Sequence, residues 1–258
     1  MNLTPRERAL AGLIALLAVA ACALPLIPQD EGFHQFADTR SWLGISNAWN
    51  VLSNLPFAFA GAAGLGLMAL HRLRLPNGAF AVNATLFFLG LIVTALCSGW
   101  YHAAPDAARL VYDRMGMVLA FAGTFGMLAA DKVSARAGWL LGALALAAGP
   151  LSVLWWLASG SLAPYAVVQF GGMLLLLTAA VFWRERSGPA WGWVLGLYAL
   201  AKVCEVYDLE IYRWTAHCVS GHALKHLVAA GTALAVMVPM LHREKDTEVP
   251  PSRWRATV

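Results

Sequence analysis

Five polar residues in two distant segments of the chain have the types and spacing of a metal site. Ser98 and His102 lie four positions apart, and Asp113 follows after ten further residues. His222 and His226 are again four positions apart, which places each pair on one face of a helix. Three imidazoles from two segments form the ligand set that holds Zn²⁺ and leaves one position open for water, as catalytic zinc sites do.

Each of these residues also has a simpler interpretation. A single histidine inside a membrane most often forms an interhelical hydrogen bond, and Ser98 can bond back to its own helix. Haem ligation by two histidines is a further alternative, but it leaves Ser98 and Asp113 without a role. The matched spacing of all five residues favours one shared site. The other histidines are interpreted as interfacial, loop or span-end residues: His34, His71, His217 and His242.

The chain that must position these residues has the composition of a membrane protein. Its 258 residues are 60% hydrophobic and only 12% charged, and its mean hydropathy is +0.63. A soluble domain has about a quarter of its residues charged, so most of this surface must face lipid. The net charge of +4 comes from short basic clusters between apolar runs, which indicates membrane topology and argues against nucleic-acid binding.

Eight apolar runs are candidates for membrane-crossing helices, each of which needs about 20 residues. They lie at 9–28, 49–70, between 74 and 106, from 110 to 130, twice within 137–183 around a turn at 159–164, at 189–203 and at 217–241. The sequence therefore predicts an all-α, polytopic transmembrane helical bundle. A cleaved first segment is an alternative, because Val19-Ala20-Ala21-Cys22 resembles a lipoprotein cleavage box. The apolar run continues to Ile27 and favours a retained helix or signal anchor.

Basic residues set the predicted orientation. With the N-terminus inside, every inner segment is basic and the turn at 159–164 has no charge, as the positive-inside rule requires. The inner segments hold Arg6, Arg8, Arg72, Arg74, Lys132, Arg136, Arg184, Arg186, Arg243, Lys245, Arg253 and Arg255. Both termini are then cytoplasmic, in a plasma or inner membrane. All five candidate site residues come to one depth near the outer face.

The pattern Ser98-x₃-His102, Asp113 and His222-x₃-His226 resembles the alkaline ceramidase family. That family belongs to a superfamily of seven-helix membrane hydrolases that also includes adiponectin-type receptors. The tract Trp49-Asn50-Val51-Leu52-Ser53-Asn54-Leu55 is similar to the one that opens the first ceramidase helix. The resemblance covers about residues 45–241. It implies that His102, His222 and His226 bind zinc.

The resemblance also implies a domain organisation. It assigns 1–28 to an added N-terminal transmembrane helix, 29–48 to an outer loop, 49–241 to a seven-helix hydrolase-like core and 242–258 to a cytoplasmic tail. The chain departs from the family before the core, where ceramidases carry an acidic calcium-binding stretch. Asn47 stands where the family has a glutamate, and the segment ADTRSWLGIS lacks clustered acids. Ca²⁺ needs several oxygen ligands, so a calcium site is doubtful, although Asp30, Glu31 and Asp38 remain available.

The function implied is a zinc-dependent amidohydrolase that cleaves a lipid amide such as ceramide into a fatty acid and a long-chain amine. In this hypothesis zinc activates water and polarises the carbonyl, Asp113 transfers protons and Ser98 donates to the oxyanion. Glu205, Asp208 and Glu210 are candidate partners for histidine N–H groups, or are simply solvated. The partners are then a membrane lipid substrate and the bilayer.

Two other classes remain open. A receptor-like or signalling protein of the same superfamily would keep a structural or weakly active zinc site. A transporter would need polar groups reachable from both sides, whereas this sequence concentrates them at one face.

Overall fold

The computed structural model describes residues 2–183 and 188–242, and in these ranges the chain is helical with no β-strand. The predicted all-α bundle is confirmed. The longest helices are α1 (Pro5–Ala23), α4 (Gly78–Ala103), α5 (Ala107–Lys132), α6 (Ala135–Ser159), α7 (Ala163–Phe182) and α8 (Trp191–Val206). The others are α2 (Ala48–Leu52), α3 (Leu55–Ala69), α9 (Asp208–Trp214), α10 (Gly221–Ala230) and α11 (Thr232–Met237), with 3₁₀ turns at Glu31–His34 and Val238–Met240.

Five helical segments are long and apolar enough to cross a membrane. They are Ala48–Ala69, Gly78–Ala103, Ala135–Ser159, Ala163–Phe182 and Gly221–Met240. The chain therefore has the make-up of an integral membrane protein. Three of the eight predicted spans do not meet these criteria. Charged residues stand at the start of α1 and within α5, and α8 has only 16 residues.

Connectivity nevertheless makes α5 run back across the bundle. Only residues 104–106 separate it from α4, and only 133–134 separate it from α6. Its 26 residues rise by about 39 Å at 1.5 Å each. His102 near the end of α4 and Asp113 near the start of α5 therefore lie at the same end of the bundle, which we call the site end.

The predicted inner segments meet at the opposite end. Arg6 donates to the carbonyl of Lys132 at 3.0 Å, and Ser134 donates to Glu7 at 2.8 Å. The backbone N–H of Arg74 donates to the carbonyl of Met240 at 2.8 Å. This grouping agrees with the loop-by-loop distribution of basic residues, while the side that faces the cytoplasm stays a prediction. Arg184, Arg186 and the predicted tail after residue 242 lie outside the described residues.

Two predicted spans differ from the helices of the structure: one is divided, and the other begins later than predicted. The run at 49–70 is divided into α2 and α3 at Ser53 and Asn54. The last run begins four residues later than predicted, at Gly221, because Ala216 and His217 adopt left-handed backbone angles (φ 49° and 63°). His217 therefore lies in an exposed turn before the helix.

Close packing of α4 against α5 fixes the relative position of their site ends. Gly90 lies against the backbone of Ala120, and Gly123 lies against the backbone of Phe87, at distances that leave no room for a Cβ atom. Small residues of this kind let membrane helices approach closely where no hydrophobic force between them exists. The buried Asn83 side chain donates to the Gly138 carbonyl at 3.2 Å and ties α6 to the same pair.

The segment predicted as an outer loop, 29–48, is ordered over the site end. His34 shares a 2.9 Å hydrogen bond with the hydroxyl of Tyr101, and the Ala37 N–H donates to Asp208 at 2.9 Å. Asp38 is fully buried and accepts from Arg40 at 2.6 Å. Hydrogen bonding with Asp38 raises the pKa of the Arg40 guanidinium above its ordinary value. This segment therefore forms a fixed cover.

Candidate metal centre

The three histidines of the sequence pattern meet at the site end. His102, His222 and His226 are all buried, and one ring nitrogen from each lies within 4.8 Å of the others. Nε2 of His102 is 3.2 Å from Nε2 of His222, close to the separation of about 3.4 Å that two tetrahedral Zn–N bonds of about 2.1 Å require. The ring centroids of His102 and His226 are 5.0 Å apart. The predicted convergence of the imidazoles is confirmed, and these residues could hold a metal ion.

Backbone contacts fix the position of His222. Ser220 caps α10 by accepting from the Ala223 N–H at 3.1 Å, and Asp208 accepts from the backbone N–H of His222 at 2.7 Å. Gly221 packs so closely on the backbone of Cys204 and Asp208 that a larger residue would displace α10. The first turn of α10 is thereby held against α8 and α9.

Ser53 fixes the orientation of the third imidazole. Its hydroxyl donates to the Asn50 carbonyl at 3.0 Å and lies 2.8 Å from Nδ1 of His226. A hydroxyl has one proton, so Nδ1 of His226 must be the donor in this second contact. Nε2 then carries the free lone pair that a metal needs. A hydrogen-bonded partner of this kind is usual for metal-binding histidines.

Phe36 covers the cluster from the ordered outer segment. Its ring centroid lies 4.8 Å from that of His102 and 4.5 Å from that of His222. A polar recess of about 620 Å³, lined by Phe36, Asp208 and Glu210 among others, lies on this side of the cluster. Phe36 therefore packs on two of the histidines at the side that faces this recess, which His222 also lines.

Ser98 and Asp113 line the same cavity as the histidines. This cavity has a volume of about 350 Å³. Both side chains are buried. All five residues of the sequence pattern are thus brought together around one space. The carboxylate lines the cavity of the imidazoles and is a group able to accept and return a proton.

The acidic residues that follow the seventh predicted span have three different positions. Glu205 forms ion pairs with Lys202 and, at 3.0 Å, with Lys225 inside the cavity. Asp208 bonds to backbone N–H groups instead of an imidazole N–H. Glu210 is exposed. The four cysteines are free.

An apolar pocket adjoins the cavity. Its volume is about 100 Å³, and six residues line both it and the cavity: Phe57, Thr94, Met117, Gln169, Tyr198 and Ala229. From there it extends between α4, α5 and α7 toward Leu91 and Phe125. The polar site therefore opens on one side into surroundings suited to hydrocarbon.

Comparisons with protein-family models, with curated proteins and with solved structures find no match to this chain. The site rests on the chain's own residues. In the described ranges, the three histidines are the only group of three or more potential ligands close enough to share an ion. Asp30, Glu31 and Asp38, the acids available for calcium, form no such group.

Sequence reasoning missed Ser53, Phe36 and the structural role of Asp208. Ser53 stands in the Trp49–Leu55 tract that carries part of the family resemblance, so its presence there was a usable signal. Phe36 has no such signal, because a single aromatic residue in a polar segment does not indicate what it covers. Asp208 was selected as a partner for an imidazole, but the turn before α10 presents a backbone N–H to it instead.

Proposed function

We propose that this protein is a zinc-dependent membrane hydrolase that cleaves the amide bond of a lipid such as ceramide. The observation that carries the proposal is three buried imidazoles and a carboxylate that line one cavity, which shares lining residues with an apolar pocket. Metal and carboxylate together are the parts of metal-assisted hydrolysis.

His102, His222 and His226 would hold the ion through one nitrogen each. Three protein ligands leave a position for water or substrate, as in catalytic zinc sites. When bound, zinc supplies a Lewis acid for the carbonyl oxygen and makes water a better nucleophile at neutral pH. The nitrogen ligand set suits zinc, although copper, iron and nickel also accept imidazole.

Asp113 would act as the general base and then as the acid. It takes a proton from the attacking water as oxygen bonds to the acyl carbon, and it delivers that proton to the amine nitrogen as the C–N bond breaks. The products are a fatty acid and an amine. Ser98 would donate a hydrogen bond to the developing oxyanion, a contact whose loss typically lowers the rate by about 10²–10³.

The apolar pocket supports a lipid as substrate. An acyl chain placed along Phe57 and Met117 would stay out of water, while its amide linkage lies beside the imidazoles. A polar substrate would gain no binding free energy from these apolar side chains. The ordered cover over the site end would keep bulk water away from the reacting groups.

The test measures zinc content and fatty-acid release together in purified protein. We expect His102→Ala to lose both metal and activity. Asp113→Asn should keep the metal, and its rate of fatty-acid release should fall by at least about 100-fold. His217→Ala is the matched control for the first variant, because that histidine is exposed outside the cluster. Asp106→Asn is the control for the second variant. Asp106 caps α5 by accepting from the Arg109 N–H at 2.7 Å, and asparagine also caps a helix.

Two results would overturn the proposal. Full activity in Asp113→Asn would remove the general base. One bound zinc per chain with no turnover of any lipid amide would favour the receptor-like alternative.

A further inference from the structure

Arg114 is a buried cation whose hydrogen-bonding capacity is only partly used. Its exposed fraction is 5%. Nη2 donates to Oε1 of Gln29 at 2.5 Å, but Nη1 is buried with no hydrogen-bond partner. Within residues 2–183 and 188–242, Arg114 forms no ion pair shorter than 4 Å. Its sequence neighbour Asp113 therefore does not pair with it.

Aromatic rings hold the guanidinium in place. Its central carbon lies 4.2 Å from the ring centroid of Trp156, 5.0 Å from that of Tyr165 and 5.6 Å from that of Phe33. Rings over the faces of a guanidinium leave its N–H groups pointing outward in the plane. The three rings and the hydrogen bond to Gln29 together restrict the guanidinium, and Nη1 is left without a partner.

The position of Arg114 within the cavity indicates which part of a ligand it meets. Arg114 lines the cavity together with the histidines. Its neighbours Gln29 and Phe33 belong to the outer segment, whereas the apolar pocket begins at Phe57 and Met117. A lipid with its chain in the pocket and its carbonyl at the imidazoles would direct its head group toward Arg114.

We propose that Arg114 binds an anionic oxygen group, a carboxylate or a phosphate, on the amine side of the substrate. A buried and unpaired charge is costly and marks a functional site in a membrane protein. Guanidinium pairs with carboxylate and phosphate through charge-assisted hydrogen bonds. The substrate class is then an N-acyl lipid with an anionic head group, such as an N-acyl amino acid. The inference rests on the proposed function for the reaction, but not for the binding of the anion.

The experiment compares three amides with the same palmitoyl chain in purified, zinc-loaded protein. N-palmitoylglycine carries a carboxylate, N-palmitoyl-phosphoethanolamine carries a phosphate, and N-palmitoylethanolamine is neutral. We expect kcat/KM for at least one anionic amide to exceed that for the neutral one by about tenfold or more. Arg114→Gln should lower this ratio by roughly 10- to 100-fold, the effect of losing a hydrogen bond to a charged group.

Arg109→Gln is the matched control. Arg109 lies on the same helix and stacks on Trp100 at 5.3 Å, but it does not line the cavity. The ratio should stay unchanged in this variant. Arg114→Lys provides a second test if the glutamine variant does not fold, and it should lower the ratio as well, because an ammonium does not reproduce the planar N–H edge.

Binding measurements separate this inference from the proposed function. Hydrolysis of all three amides at equal rates, insensitive to Arg114, would overturn the anion site and leave the hydrolase. Arg114-dependent binding of N-palmitoylglycine without hydrolysis would uphold the anion site and overturn the hydrolase. Competition by inorganic phosphate alone, without competition by either anionic amide, would show a site for a free anion and overturn the assignment to a head group.

Discussion

Replacing Ser53 with alanine removes a hydrogen bond that orients the His226 ring, without changing a proposed metal ligand. The hydroxyl lies 2.8 Å from Nδ1 and is buried with it. In the variant, the Nδ1–H donor faces an apolar methyl group. It either stays unsatisfied or turns the ring and withdraws Nε2 from the cluster.

Two independent estimates give the size of this effect. Leaving a buried donor unsatisfied costs about 1–3 kcal/mol. Loss of a hydrogen-bonded partner behind a metal ligand typically weakens metal binding by about 10- to 100-fold, which corresponds to about 1.4–2.7 kcal/mol. We therefore expect zinc affinity to fall by about 10- to 100-fold in Ser53→Ala, with one ion still bound at saturation.

The assay is competition for zinc between the purified protein and a chromophoric chelator of known affinity. Ser152→Ala is the matched control, because Ser152 is buried and its hydroxyl donates to the Gly149 carbonyl of its own helix at 2.6 Å. Wild-type affinity in Ser53→Ala would refute the assigned role of the serine. An equal loss in Ser152→Ala would show that the effect comes from general destabilisation.

Two further predictions concern the cover and the packing of the bundle. Phe36→Ala should speed zinc dissociation by roughly tenfold, because it removes two ring contacts worth about 0.5–1.5 kcal/mol each. Stopped-flow transfer of zinc to a chelator measures the dissociation rate, and Phe59→Ala is the control because Phe59 is exposed on the outside of the bundle. Unchanged dissociation in Phe36→Ala would contradict the covering role. Gly123→Ile should destabilise the bundle by about 1–3 kcal/mol or more, because the added side chain forces α4 away from α5. Gly66→Ala should leave the stability unchanged, because the space beside Gly66 is open. Equal thermal unfolding of the two variants would contradict this packing.

The sequence was informative where one physical rule acts alone. Long apolar runs are expected to be helical in lipid, because no water is present to satisfy their backbone groups. The all-α bundle could therefore be predicted from these runs. The helical period put His222 and His226 on one face of α10. Counting spans then put His102 and Asp113 at the same end. These inferences need no knowledge of which helices touch.

Other features depend on contacts between distant segments and could not be predicted. Ser53 meets His226 only because the break between α2 and α3 packs beside α10. The segment 29–48 was predicted only as an outer loop. No periodic pattern in the sequence reveals that Phe36 lies on the imidazoles or that Arg40 pairs with Asp38. The late start of α10 follows from the left-handed residues at 216 and 217, which hydropathy does not detect. The surroundings of Arg114 could not be predicted either, because its aromatic neighbours Phe33, Trp156 and Tyr165 come from three other segments.

The central claim is that three imidazoles share one ion, and X-ray absorption at the zinc edge of the purified, zinc-loaded protein tests it most directly. The account predicts one zinc per chain with three imidazole nitrogens at about 2.0–2.1 Å. One imidazole should disappear from the coordination sphere in His226→Ala. Sulfur ligands at about 2.3 Å, or a wild-type spectrum with fewer than three imidazoles, would contradict it.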